Sequence, residues 1–314
     1  MTRFILRRLG FVLLSMLMAS AIIFLATQVI PGDIAAVILG QFATPEAKAN
    51  LRIELGLDRP LIVQYVDWLS GFVVGDWGES TSMHTPVRPL VISRLYNSAI
   101  LAAVGFVMFV PLGIVLGLIA AIRRNSWVDH TISIGSLMFV GLPEFVTGII
   151  LIFVFALTLG WLPAQSPVDF SEGFWANVPM LILPGITVSS VSLAYIARMQ
   201  RSSTVEVLQS DYVRTAFLKG LSFVRVIRKH VLRNSFLPTV TAIALCVGWL
   251  VSGLIVTESV FSYPGLGRLL LFGASHRDIP LLQAVSMLVV VLVGLLNLAA
   301  DLVFAWLNPR ITFK

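Results

Sequence analysis

The sequence predicts an all-α integral membrane protein with six transmembrane helices. Hydrophobic residues make up 57% of the 314-residue chain and charged residues only 12%, whereas soluble domains are about 45–50% apolar. Six charge-poor stretches are long enough to cross a bilayer, which takes about 20 residues of helix. The single cysteine, Cys246, lies in one of them, and the four histidines are dispersed along the chain. We therefore expect no disulfide, no metal site and no catalytic centre.

The six predicted spans follow one another with loops between them. They are residues 9–30, 98–122, 131–159, 174–197, 235–257 and 281–307. The first is longer than the 7–15-residue apolar region of a signal peptide, so we interpret it as a retained anchor. The third contains one charged residue, Glu144.

The distribution of Lys and Arg predicts the orientation, because short cytoplasmic loops carry an excess of them. Residues 198–233 hold eight basic residues, whereas residues 160–173 hold none and the loop 259–280 holds two. Both termini are therefore expected in the cytoplasm. The net charge of +6 is explained by this topology and indicates no nucleic-acid site.

The first external loop, residues 31–97, is expected to contain two short helices. Thr44 and Pro45 are typical of a helix start, with Glu46 favoured in the first turn, and Gly56 can end that helix. A second helix begins after Pro60 and places an apolar face on one side. That face consists of Leu61, Tyr65, Trp68, Leu69 and Phe72. It either lies on the outer leaflet or packs as a cap over the helix bundle.

The segment 198–234 interrupts the apolar pattern on the cytoplasmic side. Ser210 or Asp211 can cap a short helix there, and Gly220 can end it after Lys219. Ser222 can cap a second short helix. The pattern indicates either a solvated loop with topogenic charge or an element on which a cytosolic partner docks.

Polar residues and helix breakers inside the spans are candidates for a substrate pathway, because bilayer lipid does not tolerate them. Glu144 follows Gly141 and Pro143 in the third span. Thr187 and Ser190 follow Pro184 and Gly185 in the fourth, where the alternative is tight packing of small residues between helices. Asn297 and Asp301, one turn apart in the sixth span, are expected to form a structural pair.

Residues 211–238, "DYVRTAFLKGLSFVRVIRKHVLRNSFLP", resemble the cytoplasmic motif of ABC importer permeases. The generic motif has an acid and two alanines before its glycine, whereas this chain has Arg214, Thr215 and Ala216 before Gly220. That departure is typical of the dipeptide/oligopeptide/nickel branch. "LGLDRPLIVQYVDWL", "GDWGES", "ESVFSYPGLGRLL" and "NLAADLVFAWLNPRI" are similar to the B-type subunit of that branch, so the resemblance covers nearly the whole chain.

The resemblance implies a type I importer fold in which residues 1–314 form a single permease domain. It further implies a C-type partner permease, one or two cytosolic ATPase subunits and an external solute-binding protein. The chain has no Gly-x-x-x-x-Gly-Lys-Ser/Thr phosphate loop, so ATP and Mg²⁺ are expected on the partner subunits and no cofactor on this one. The ATPase-coupling residues implied are Asp211, Tyr212, Arg214, Thr215, Ala216, Lys219 and Gly220.

The outer loop that follows the fifth span is the remaining candidate site. Its residues Glu258, Tyr263, Pro264, Gly265 and Gly267 either reverse the chain or act as an external gate or docking element. The cargo implied is di- or oligopeptide, with nickel or another small solute as the alternative. In a different class of protein, Glu144, Glu258 and Asp301 would be a proton relay of a secondary transporter.

Overall fold

A computed structural model describes residues 2–29, 44–54 and 58–307. The helices in these ranges are α1 (Thr2–Val29), α2 (Pro45–Glu54), α3 (Leu61–Val74), α4 (Val87–Ile122), α5 (Trp127–Gly141), α6 (Glu144–Leu151), α7 (Phe174–Leu208), α8 (Asp211–Leu218), α9 (Phe223–Val226), α10 (Leu232–Val260), α11 (Leu266–His276) and α12 (Ile279–Leu307). Two π-helical turns, Ile152–Thr158 and Ile227–Val231, follow α6 and α9. The predicted all-α class is confirmed.

Five of the described helices are long and apolar enough to cross a membrane, and a bent pair makes a sixth span if it is counted as one. The bent pair is α5 together with α6 and its π-turn, with 111° between its halves. The sequence predicts one span over residues 131–159, and the structure has two helices there. This bend is the main difference between the predicted and the observed helices.

Pro143 explains the break. The residue before a proline is pushed out of the helical region by the proline ring, and Leu142 is accordingly extended at φ −92°, ψ 132°. Pro143 then precedes the first residue of α6, Glu144, where its missing N–H costs no helical bond. By contrast, α4 and α7 continue through Pro111 and Pro184.

The chain divides into two compact units, and the first contains residues 1–97 and 265–295. Its apolar core joins the start of α4 to α11 and α12. Beside this core, the buried Asp278 carboxylate accepts hydrogen bonds from Ser80 Oγ at 2.5 Å and from the backbone N–H of Ser82 and Leu281 at 3.1 and 3.3 Å. Asp278 therefore fixes the loop before α4 to the start of α12.

The two predicted external helices are present in the first unit. Thr44 Oγ1 accepts a hydrogen bond from the Ala47 N–H at 3.2 Å, as expected of an N-cap, while Gly56 lies outside the described residues. In α3, the rings of Tyr65 and Trp68 lie 5.6 and 5.9 Å from that of Phe24 in α1. The aromatic face of α3 therefore packs on α1, which favours the packed-cap alternative over burial in the outer leaflet.

The second unit contains residues 98–264 and 296–314, and α7 is its central helix. Small residues bring α4 close to α7: a methyl group added at Gly105 would lie 3.0 Å from Val188, and one added at Gly113 would lie 3.0 Å from Ile196. Such close approach is typical of helices that associate in membranes. The unit places α8 at the end of a rigid, buried helix.

Candidate functional site

Helix α8 is short because both of its ends are defined by the sequence. Ser210 occupies the N-cap position, but its hydroxyl donates to the Val207 carbonyl at 2.6 Å instead of capping α8. Asp211 is the first helical residue and not the cap, so its carboxylate acts through the helix dipole. The proposed capping role of Asp211 is therefore wrong, although its place at the start of the helix is as predicted.

The C-terminal end of α8 is a Schellman motif. Gly220 has φ +75°, its N–H donates to the Phe217 carbonyl at 2.9 Å, and the Leu221 N–H donates to the Ala216 carbonyl at 3.3 Å. These two bonds satisfy carbonyls that the helix end would leave unpaired. Glycine is favoured at this position because a β-carbon makes the left-handed conformation costly. The predicted stop at Gly220 therefore has a specific geometric basis.

One face of α8 packs against its own chain. Val213 and Ala216 are buried together with Val226, Ile227 and Val231 of the segment that follows. Ala216 is only 6% exposed, so it is packed within this cluster and does not face a partner. Its predicted contribution to coupling would therefore act through the position of α8.

The other face of α8 is open to solvent and unusually apolar. Arg214, Thr215 and Lys219 are exposed on it. We call the exposed apolar residues of α8 and of the start of α9 the apolar tip: Tyr212, Phe217, Leu218, Phe223 and Val224. Leu218 is 80% exposed, and the rings of Phe217 and Phe223 stack at 6.3 Å. Exposed aromatic and aliphatic clusters mark protein interaction sites, so the apolar tip is a candidate docking surface.

Of this surface, only Tyr212 is among the coupling residues that the resemblance implies; Phe217, Leu218, Phe223 and Val224 are not. The signal was present, because Phe217 and Phe223 flank the Gly220 turn by three residues on each side. A turn of this kind brings its two flanks together.

The part of α7 that precedes α8 is held by an ion pair in which Asp129 is buried and Arg201 is 31% exposed. Arg201, about two helical turns before the end of α7, donates to both carboxylate oxygens of Asp129, with Nε–Oδ1 and Nη2–Oδ2 distances of 2.5 and 2.7 Å. Asp129 also accepts the Asn125 N–H at 3.0 Å and the Ser133 hydroxyl at 3.3 Å. A bidentate pair is strong and directional, so it fixes α5 to α7.

A second buried network fixes α7 to α10. The Gln200 amide donates to Thr204 Oγ1 at 2.9 Å and to Ser235 Oγ at 3.1 Å, and its carbonyl accepts the Thr239 hydroxyl at 2.6 Å. Because all these groups are paired, the network stabilises one arrangement of the helices. Neither Asp129 nor Gln200 was singled out from the sequence, since their partners lie on other helices.

The predicted pathway residues of α7 are buried. Thr187 Oγ1 donates to the Leu183 carbonyl and Ser190 Oγ to the Thr187 carbonyl, each at 2.9 Å. Both hydroxyls thus bond within their own helix. This arrangement favours the packing alternative, and a contact of Thr187 or Ser190 with cargo stays a prediction.

Glu144 has a different environment. It is half-buried at the start of α6 and faces Gly253 of α10, where an added methyl group would lie 2.6 Å from the carboxylate. Within the described part of the chain, its side chain has no hydrogen-bond or ion-pair partner. The sequence analysis places Glu144 inside a single span, next to Gly141 and Pro143, whereas the structure places it at the start of α6, after the bend. A role of Glu144 in the substrate pathway stays a prediction.

Most of the candidate residues in the outer loop after α10 are buried and do not extend into solvent. Glu258 is fully buried and accepts the Ser98 hydroxyl at 2.5 Å, while its carbonyl accepts the Tyr263 N–H at 2.8 Å. Tyr263, Gly265 and Gly267 are buried and Pro264 is half-buried. This burial disfavours direct docking through Tyr263, and a gating role for the five residues stays a prediction.

Comparison with known proteins gives matches along the chain. Residues 113–313 match the family described as binding-protein-dependent transport system inner membrane component, and residues 1–104 match its N-terminal family. A probable peptide ABC transporter permease protein of Sinorhizobium fredii is 39% identical over 310 residues, 99% of each chain. The glutathione transport system permease protein GsiC of Escherichia coli (strain K12) is 38% identical over 317 residues, the full length of both chains.

Two solved structures share the fold. The methionine ABC transporter MetNI, in an inward-facing conformation, contains a chain that matches with a TM-score of 0.52 at 18% identity, over 70% of this chain and 96% of that one. An amino acid ABC transporter matches with a TM-score of 0.50 at 17% identity, over 71% and 94%. The similarity to these two structures concerns the fold alone.

Proposed function

Because the chain belongs to the family of binding-protein-dependent transport system inner membrane components, we propose that it is one permease half of an ATP-driven importer of di- or oligopeptides. Relatives aligned over nearly their whole length are named as permeases for peptides and for glutathione, itself a tripeptide. Nickel or another small solute remains the alternative cargo. The expected location is the cytoplasmic membrane of a bacterium.

The observation that carries the proposal is the apolar tip on a short helix with a fixed base. An apolar surface of this kind on a cytoplasmic segment would be costly to expose unless a partner covers it. A cytosolic ATPase pair is the partner that the family implies, and it would supply the ATP and Mg²⁺ chemistry. The second permease and the external binding protein complete the proposed complex.

The coupling mechanism follows from rigidity. Closure of the ATPase pair would displace the apolar tip. This displacement moves the transmembrane helices only if α8 is held rigidly against them. The Asp129–Arg201 pair and the Gln200 network join the helices at its base. Segment 211–234 would thus act as a lever on α7 and α10.

The proton-coupled alternative loses its support. A relative over nearly its whole length is named as an ABC transporter permease, which supports ATP as the energy source, and Glu258 accepts a hydrogen bond from Ser98.

The cargo is tested by uptake. Cells that lack the chromosomal gene and carry it on a plasmid should regain growth on defined di- and tripeptides, with ⁶³Ni uptake measured in parallel. Restored nickel uptake without restored peptide growth would reject peptides as the cargo and leave the permease role intact.

A further inference from the structure

At the junction of α6 and α10, three oxygen-bearing side chains have no hydrogen-bond partner among the residues that the structure describes. Glu144 is the first. Thr147 and Thr257 are the others: their Oγ1 atoms are buried without a hydrogen bond, and the residues are 4% and 0% exposed. Nearly all buried hydroxyls in proteins are paired. Three unpaired groups in one interface therefore indicate a site that binds something.

The contacts between the two helices place these side chains along one stretch of interface. A methyl group added at Gly253 of α10 would meet Glu144, and one added at Gly148 of α6 would lie 3.2 Å from Val260. Thr147 lies between Glu144 and Gly148 in sequence, and Thr257 lies between Gly253 and Val260. The interface thus runs from the half-buried Glu144 to the buried threonines.

The chemistry of the three groups selects the ligand. A carboxylate and two hydroxyl oxygens offer three acceptors, and a primary ammonium offers three N–H donors. Glu144 also lies in the first turn of α6, where a negative charge is favoured. No basic side chain of the described residues neutralises it. Glycine at 253 lets the carboxylate lie directly against α10, because a β-carbon there would come within 2.6 Å of a carboxylate oxygen.

We propose that Glu144, Thr147 and Thr257 form a subsite for a primary ammonium group of the cargo during its passage. The ammonium comes from the amino terminus of a peptide or from a lysine side chain. Glu144 would receive it first, because it is half-buried whereas both threonines are buried, and the threonines would hold the ammonium once α6 and α10 separate locally. This inference rests on the proposed peptide cargo.

The test compares three probes in the complete reconstituted importer: a lysine-free tripeptide, its N-acetylated form, and an N-acetylated tripeptide with one lysine. Glu144→Gln keeps the shape of the side chain and removes its charge. It should reduce uptake of the free-amine tripeptide by about tenfold or more, the effect of one charge-assisted hydrogen bond, and leave the N-acetylated lysine-free form unchanged. The lysine probe shows whether a side-chain ammonium substitutes for the terminus.

The external binding protein has its own preference, so the quantity to compare is the ratio of free-amine to acetylated uptake in variant and wild type. Thr257→Val should lower the same ratio, and the control Thr241→Val on α10 should not. Co-purification of the ATPases checks that each variant is assembled. A ratio unchanged in both Glu144→Gln and Thr257→Val overturns the subsite.

Two further outcomes would test the identity of the ligand and of the cargo. Sodium-dependent uptake that Glu144→Gln abolishes would assign the three groups to an alkali ion and overturn the ammonium. Absence of peptide uptake by the wild type would instead reject the proposed cargo, and the subsite with it.

Discussion

Replacement of Gly220 by valine tests whether the left-handed conformation that ends α8 is needed for coupling to the ATPase. A methyl group at Gly220 would meet nothing within 4 Å, so the cost comes from the backbone alone. A residue with a β-carbon pays about 1–2 kcal/mol in the left-handed region. Escape from it breaks the two Schellman bonds, each worth about 0.5–1.5 kcal/mol. By either route, the fraction of molecules with a correctly ended α8 falls roughly tenfold per 1.4 kcal/mol.

The assay is co-purification of the ATPase subunits together with substrate-stimulated ATP hydrolysis in proteoliposomes. Gly220→Val should reduce both by about tenfold while membrane insertion, which depends on the apolar spans, stays normal. Gly220→Asn should behave nearly as wild type, because asparagine tolerates φ > 0. Gly160→Val is the matched control, since Gly160 also has φ +65° and open space around it but lies in an outer loop.

If Gly220→Val and Ala216→Glu both leave ATPase binding and stimulated hydrolysis unchanged, α8 is not the element on which the ATPase docks. An equal defect from Gly160→Val would also contradict a docking role for α8, because that result would assign the loss to general instability.

Three more predictions test the orientation of the chain in the membrane, the Asp129–Arg201 ion pair and the apolar tip. In a Cys246→Ala background, a cysteine at Ser82 should react with an impermeant thiol reagent in intact cells and one at Ser222 should not; the opposite labelling would reverse the topology. Ser82 is chosen because the neighbouring Ser80 is buried against Asp278. Asp129→Asn leaves the Arg201 guanidinium without its charge partner and should destabilise the fold by about 1.5–3 kcal/mol, the contribution of a hydrogen bond to a charged group. The loss should appear as inactivation at a lower temperature in detergent, and the double variant Asp129→Asn, Arg201→Gln should recover part of it. Leu218→Glu should leave that temperature unchanged, because Leu218 is exposed, but should weaken ATPase co-purification; a stability loss with binding intact would contradict a docking role.

Much of the fold follows from the sequence because bilayer thickness fixes the length of apolar runs. The capping of α2 by Thr44, the bounds of α8 and the stop at Gly220 are local features, so a few neighbouring residues determine them. The bend at Pro143 is different. A proline predicts a break in a helix, but α4 and α7 continue through their prolines. Whether a proline breaks its helix therefore depends on what packs around that helix.

The site was predictable in position but not in the direction of its side chains. Ala216 belongs to the predicted coupling motif, yet whether it faces inward depends on Val226 and Val231, which fold back from the following segment. The Asp129–Arg201 pair joins residues 72 positions apart, and no local pattern reports such a partner. The unpaired hydroxyls of Thr147 and Thr257 likewise become visible only when α6 meets α10.

The most direct test of the central claim is photo-crosslinking from the apolar tip in intact cells. A benzoyl-phenylalanine at Leu218 should form an adduct with an ATPase subunit, and the same residue at Trp161, an exposed position of the outer loop, should form none. We expect the Leu218 adduct to be lost with Gly220→Val. Absence of an ATPase adduct at Leu218 in cells whose importer is active would contradict a docking role for α8.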